Sequence, residues 1–194
     1  MAVKNKNSLR AWTTWQMTSV ALLVCLAMVL SYVERMIPLS FTIPGIKLGL
    51  ANLAVLSGIY LLSFRQALTL VVLKCVMTAW IFGSFAAFLY SSAGSLLSFF
   101  VMAALVWLMR RREKDRPAGR GAGRQASLGI ILVSAAGGVC HNLGQLGMAA
   151  LVVGSFKVFY YLPVLIAAGF LTGLLIGTCV RVTLPYVLDM KEIR

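Results

Sequence analysis

Acidic side chains are nearly missing from this sequence. Among its 194 residues only Glu34, Glu113, Asp115, Asp189 and Glu192 carry a carboxylate, against eighteen Lys and Arg. The acids form no cluster of the kind that holds Mg²⁺ against a departing diphosphate, so prenyl transfer catalysed by this chain alone is not expected. His141 is the single histidine, and Cys25, Cys75, Cys140 and Cys179 show no metal-ligand spacing. The cysteines read as small apolar core residues, and no metal or cofactor site is expected. There is no G-x-x-x-x-G-K-[ST], so any ATP-driven step must come from a partner. No catalytic residue is assigned.

Charge as a whole is scarce too. Charged residues make up 12% of the chain and hydrophobic residues 60%, where a soluble domain is about a quarter charged. Apolar runs recur at roughly the length that crosses a hydrocarbon core of ~30 Å. The composition predicts an all-α integral membrane protein, a single transmembrane domain over 1–194. Six spans are expected, at about 14–33, 47–63, 66–83, 93–109, 127–153 and 162–185. The first is a retained helix rather than a signal peptide, because it is long and lacks a small-x-small cleavage site.

The basic residues set the direction. With the amino terminus cytoplasmic, fourteen of the eighteen fall on the inner side, seven of them in the loop 110–126, and only Arg35, Lys47 and Lys157 fall outside. Positive charge on short loops resists translocation, so both termini are expected in the cytoplasm of a bacterial cell. The net charge of +13 thus reflects topology and contact with anionic lipid; nucleic acid is not an expected partner.

Against this background, polar groups inside spans stand out. Lys74, in "VVLKCVMTAW", lies eight or nine residues from either end of its span, too deep for its stem to reach the headgroups. A charged Lys at that depth costs at least ~2.5–3.5 kcal/mol and requires a partner or a wet cavity. No carboxylate is expected deep in any span, which leaves a ligand anion slightly ahead of backbone carbonyls as that partner. His141, Asn142 and Gln145, in "CHNLGQL", share one broad face at the centre of the fifth span. One such residue would read as an interhelical hydrogen bond; three together point to a site.

A second constellation precedes the second span. Pro38, Pro44 and Gly45 end the first helix and impose a structured outer loop suited to act as a lid. Lys47 and Asn52 then open the second helix, whose free N–H groups and dipole would favour an anion. Tyr90, Ser91, Ser92 and Ser95, in an outer connection, would add hydroxyl and aromatic lining. The candidate substrate-binding set is therefore Lys47, Asn52, Lys74, Tyr90, Ser91, His141, Asn142 and Gln145. Phosphate, diphosphate and carboxylate groups fit it equally well at this stage. Small residues at helical spacing, Ala21 and Cys25, Ala27 and Ser31, and Gly169, Gly173 and Gly177, form stripes open to internal packing or to docking of a membrane partner.

Three segments, "IPGIKLGLANLAVL", "LYSSAGSLLSFFVMAAL" and "GGVCHNLGQLGMAALVVGS", resemble signature segments of the Gx transporter family, also called heptaprenyl diphosphate synthase component I. That family is similar to the substrate-binding S components of energy-coupling-factor transporters. The resemblance implies a six-helix bundle with both termini inside and a long first outer loop closing over a small-molecule substrate. It also implies a transmembrane T component and a pair of cytoplasmic ATPases as partners. The first-helix stripe of such S components is Ala-x-x-x-Ala; here Cys25 and Ser31 replace the second alanine of each pair. A flavin or an isoprenoid or quinone precursor would suit a cavity charged at one end and apolar elsewhere. The alternative is a non-catalytic membrane partner of a soluble prenyl diphosphate synthase.

Overall fold

The computed structural model describes residues 12–36, 49–82, 85–114 and 122–192. Six α-helices follow in order: α1 (Thr14–Met36), α2 (Asn52–Leu61), α3 (Phe64–Phe82), α4 (Phe85–Lys114), α5 (Ala122–Val153) and α6 (Leu162–Glu192). A short 3-10 turn, Phe156–Tyr161, joins the last two. No strand occurs among the described residues. Among the described residues, five helices are long and apolar enough to cross a membrane. The exception is α2, whose 10 residues reach only ~15 Å at 1.5 Å per residue, half of a ~30 Å core.

Contacts along the helices fix their relative directions. On α1, Ala27 packs with Ala51 and Ala54, and Glu34 meets Gly49. Gly58, further along α2, faces Leu23 and Leu70. So α2 runs antiparallel to α1. Thr78 of α3 donates to Met28 Sδ at 3.7 Å, at the same level as the α1 residues packed against α2. Phe64 packs on Phe99 in a tilted pair with centroids 5.4 Å apart, and Lys74 reaches Ser95, which makes α3 and α4 antiparallel.

The two tightest helix pairings are glycine seams. A Cβ at Gly144 would lie 2.7 Å from the Ala93 carbonyl oxygen, and one at Gly138 only 2.1 Å from that of Gly169. Only hydrogen at those positions allows backbone to rest on backbone, the mode of close helix packing in lipid. Gly169, Gly173 and Gly177 lie along α6 against Gly138, Ala135 and Ile131 of α5. That stripe therefore serves the chain's own α5–α6 seam and is not a docking face. Ala27 and Ser31 are likewise buried, at 0% and 2% exposure, leaving only Ala21 and Cys25 on the outward face of α1.

The core combines Leu56, Leu70, Phe99, Met102 and Val180, while the outer surface is densely apolar, including Leu22, Trp80, Leu132, Leu171 and Tyr186. A water-facing protein does not display so much contiguous hydrocarbon. At the end of α4 the Arg111 guanidinium lies 3.9 Å over the Trp107 ring, a pairing suited to a membrane–water boundary. Tyr90 to Ser95, expected in a connection, lie inside α4, which begins at Phe85.

Candidate functional site

The half-length of α2 creates the site. Its first residue, Asn52, meets Ser98 near the middle of α4, and Gly49 just before it meets the ring of His141 near the middle of α5. A helix that starts at such depth leaves backbone N–H groups where no bulk water reaches them. The chain answers each in turn. Asn52 N donates to Gly49 O at 2.8 Å and Leu53 N to Leu50 O at 3.0 Å. The Gly49 N–H donates to the Glu34 carboxylate, which also places negative charge beside the positive end of the α2 dipole.

Gly49 holds this corner through two properties that no other residue shares. Its φ of +87° is left-handed, and a Cβ there would lie 2.8 Å from His141 Cδ2. Gly94 does the same from α4, where a Cβ would fall 2.7 Å from the His141 carbonyl oxygen and 2.8 Å from Gln145 Cγ. His141 and Gln145 thus project from α5 toward α4 and the start of α2. Asn142 does not join them. Its Nδ2 donates to Leu165 O of α6 at 2.8 Å, because a residue one step along a helix is turned by about 100°. The expectation that all three share one face is corrected accordingly.

Lys74 is 2% exposed, and its Nζ donates to Ser95 Oγ at 2.9 Å. The Glu34 carboxylate acts on it electrostatically. Ser95 is therefore a partner of Lys74 within the chain, where the sequence places a ligand anion slightly ahead of backbone carbonyls, and the expectation that no carboxylate lies deep in a span is corrected by Glu34. Glu34 was missed because it sits beside Arg35 at the end of an apolar run, where a carboxylate reads as interfacial. It is instead buried at 7% exposure. The expected anion corner at the start of α2 is likewise filled, since Glu34, Gly49 O and Leu50 O already serve its N–H groups.

Of the remaining sequence candidates, Tyr90 and Ser91 are buried on α4, with the Ser91 carbonyl accepting from Cys75 Sγ at 3.9 Å. Lys47, with Pro38, Pro44 and Gly45, lies outside the described residues. Ser98, which sequence reasoning passed over, links two elements: its hydroxyl donates to Gly137 O at 2.8 Å and accepts from Asn52 Nδ2 at 3.4 Å. Asn52 Oδ1 and Asn142 Oδ1, like Ser92 Oγ, are buried oxygens with no hydrogen-bond partner among the described residues. Tyr160 is exposed at the 3-10 turn, far from this cluster in the sequence of contacts.

The fold and its polar centre define a helical protein with the architecture of a multi-pass membrane protein, built around a half-length helix. The chain belongs to the heptaprenyl diphosphate synthase component I family, whose model matches residues 23–183. No curated protein and no solved structure matches it.

Proposed function

We propose that this chain is a membrane-embedded substrate-binding subunit, similar to the S components of energy-coupling-factor importers, for a small amphipathic metabolite. The observation that carries the reading is the polar cluster itself: Asn52, Lys74, His141 and Gln145, from three helices, all buried at 3% exposure or less. Polar groups at this depth are costly and in membrane proteins mark substrate or ion pathways. A helix that begins at mid-depth is a recurrent element of transport sites, where half-helix ends face the cargo. The metabolite's polar part would enter this cluster and its apolar part the surrounding aliphatic wall.

Such a subunit works with a T component and a pair of cytoplasmic ATPases, because the sequence has no nucleotide-binding loop of its own. The outward face of α1 around Ala21 and Cys25 is the candidate docking surface. The test is native purification in mild detergent, followed by mass spectrometry of both small molecules and co-purifying proteins. A stoichiometric metabolite with a T component and ATPases supports the reading. A preparation with neither overturns it.

The family name favours a second reading, a non-catalytic membrane partner of a polyprenyl diphosphate synthase. Five scattered acids give this chain no Mg²⁺-binding pair, so catalysis would belong to a soluble subunit. Recovery of a soluble prenyl synthase in the same pull-down, without ATPases, selects that role.

A further inference from the structure

We propose that the molecule held in this site presents a hydrogen-bond donor, an N–H or O–H group, to the side-chain carbonyl of Asn52. The inference rests on the binding-subunit reading and narrows its substrate class. It begins from which groups in the cluster are already engaged. Lys74 is bonded to Ser95 and has the Glu34 carboxylate acting on it. Glu34 in turn accepts from Gly49. The first N–H groups of α2 are bonded to Gly49 and Leu50. Neither the buried cation nor the helix end needs an anion from outside.

Asn52 is different. The hydroxyl of Ser98 has one hydrogen, and it is committed to Gly137 O at 2.8 Å. Ser98 can therefore only accept from Asn52, which forces the Nδ2 edge of the amide toward it at 3.4 Å. The Oδ1 edge is turned the other way. It has no partner among the described residues, on a side chain 3% exposed at the amino end of α2. The same logic fixes Asn142, since Leu165 O is an acceptor and must face Nδ2 at 2.8 Å. Its Oδ1 is also without a partner, at 2% exposure.

At Asn52 the site therefore presents an acceptor of fixed orientation that has no partner among the described residues. An amide, imide, ring N–H or hydroxyl satisfies it. An ionised carboxylate, phosphate or diphosphate offers only acceptors and meets Asn52 Oδ1 with repulsion. Discrimination of this kind is steep, because the wrong ligand leaves the buried carbonyl unmet.

The full chain is purified, and its bound small molecules are extracted and identified by mass spectrometry, for wild type and Asn52→Leu. Wild type is expected to release a compound with an N–H or O–H donor, and the variant at least ~10-fold less. Gel filtration and Tm report folding; after stripping, the variant's Tm should equal or exceed that of wild type, because an unmet carbonyl has been removed. If Asn52→Leu fails to fold, Asn52→Ala carries the same comparison. Stripped protein in nanodiscs is also titrated with benzamide, benzoate and methyl benzoate. Benzamide should bind ~10-fold or more tightly than either, with the preference abolished in Asn52→Leu. A released compound whose polar groups are all ionised acceptors, equal release from both proteins, or no preference for benzamide overturns the inference and leaves the binding-subunit reading standing. Absence of any bound compound overturns that reading and the inference with it.

Discussion

Gly94→Ala and Gly147→Ala add the same methyl group to two membrane helices, yet the structure separates their outcomes. At Gly147 a Cβ meets nothing within 4 Å. Replacing glycine by alanine inside a helix there should stabilise by ~0.5–1 kcal/mol, through reduced backbone entropy in the unfolded chain. At Gly94 the new Cβ lies 2.7 Å from His141 O, 2.8 Å from Gln145 Cγ and 3.0 Å from His141 Nδ1. Ordinary contact begins at 3.4 Å, so the first gap is short by 0.7 Å (3.4 − 2.7). The closest obstacle is α5 backbone, which cannot rotate away as a side chain can. Overpacking of this kind costs ~1–3 kcal/mol, offset by the same propensity gain. The two variants should therefore differ by ~1–3 kcal/mol, Gly94→Ala being the weaker. Reversible unfolding in bicelles, followed by tryptophan fluorescence, measures the difference. Because α4 must then move away from His141 and Gln145, Gly94→Ala should also lose retained metabolite while Gly147→Ala keeps it. Equal stability and equal retention in the two variants would refute the α4–α5 packing on which the site description rests.

Three further outcomes follow from the same geometry. Lys74→Met should destabilise by ~1–3 kcal/mol in the same unfolding assay, because it removes the buried hydrogen bond from Nζ to Ser95 Oγ at 2.9 Å; adding Ser95→Ala should cost little more, and strict additivity of the two changes would refute their coupling. Gly138→Ala should be worse than Gly94→Ala, with little folded protein in gel filtration, since its Cβ would lie 2.1 Å from the Gly169 carbonyl oxygen; a normal yield would refute the α5–α6 seam. Cys25→Trp, on the outward face of α1, should leave Tm within ~0.5 kcal/mol equivalents of wild type yet reduce recovery of membrane partners in a pull-down; unchanged recovery removes that face as the docking surface.

The helices themselves were legible because lipid imposes a simple rule: a long apolar run must be a helix. The residues that would line a site were legible for the same reason, since Lys74, His141, Asn142 and Gln145 are conspicuous in such runs. Their partners were not. Glu34 follows "LSYV" at the end of α1, and no local pattern separates an interfacial carboxylate from one folded back over a re-entrant segment. The length of α2 was hidden as well. "GLANLAVLSGIYLL" is apolar on both sides of Asn52, so hydropathy alone runs the span through the point where the helix starts. Glycine seams were visible as a spacing, but spacing does not say whose helix fills the groove; Gly169, Gly173 and Gly177 are filled by α5 of the same chain.

The early start of α2 also explains why residues of similar appearance in the sequence divide into two kinds in the fold. A helix end inside the bundle exposes backbone donors, and a carboxylate is the strongest acceptor the chain can bring to them. Lys74 is buried close enough to Glu34 to interact with it electrostatically. Lys74 is held in turn by Ser95. The ionised groups are therefore explained by the backbone they support, and replacing any of them should first be felt in stability. The asparagine carbonyls have no partner among the described residues. Their amino edges are used by Ser98 and Leu165, and an isosteric leucine would avoid the unmet acceptor at no loss of volume. An amide retained at Asn52 fits a donor supplied by a bound molecule, which is why the binding role is proposed for the neutral amide rather than for the conspicuous charge.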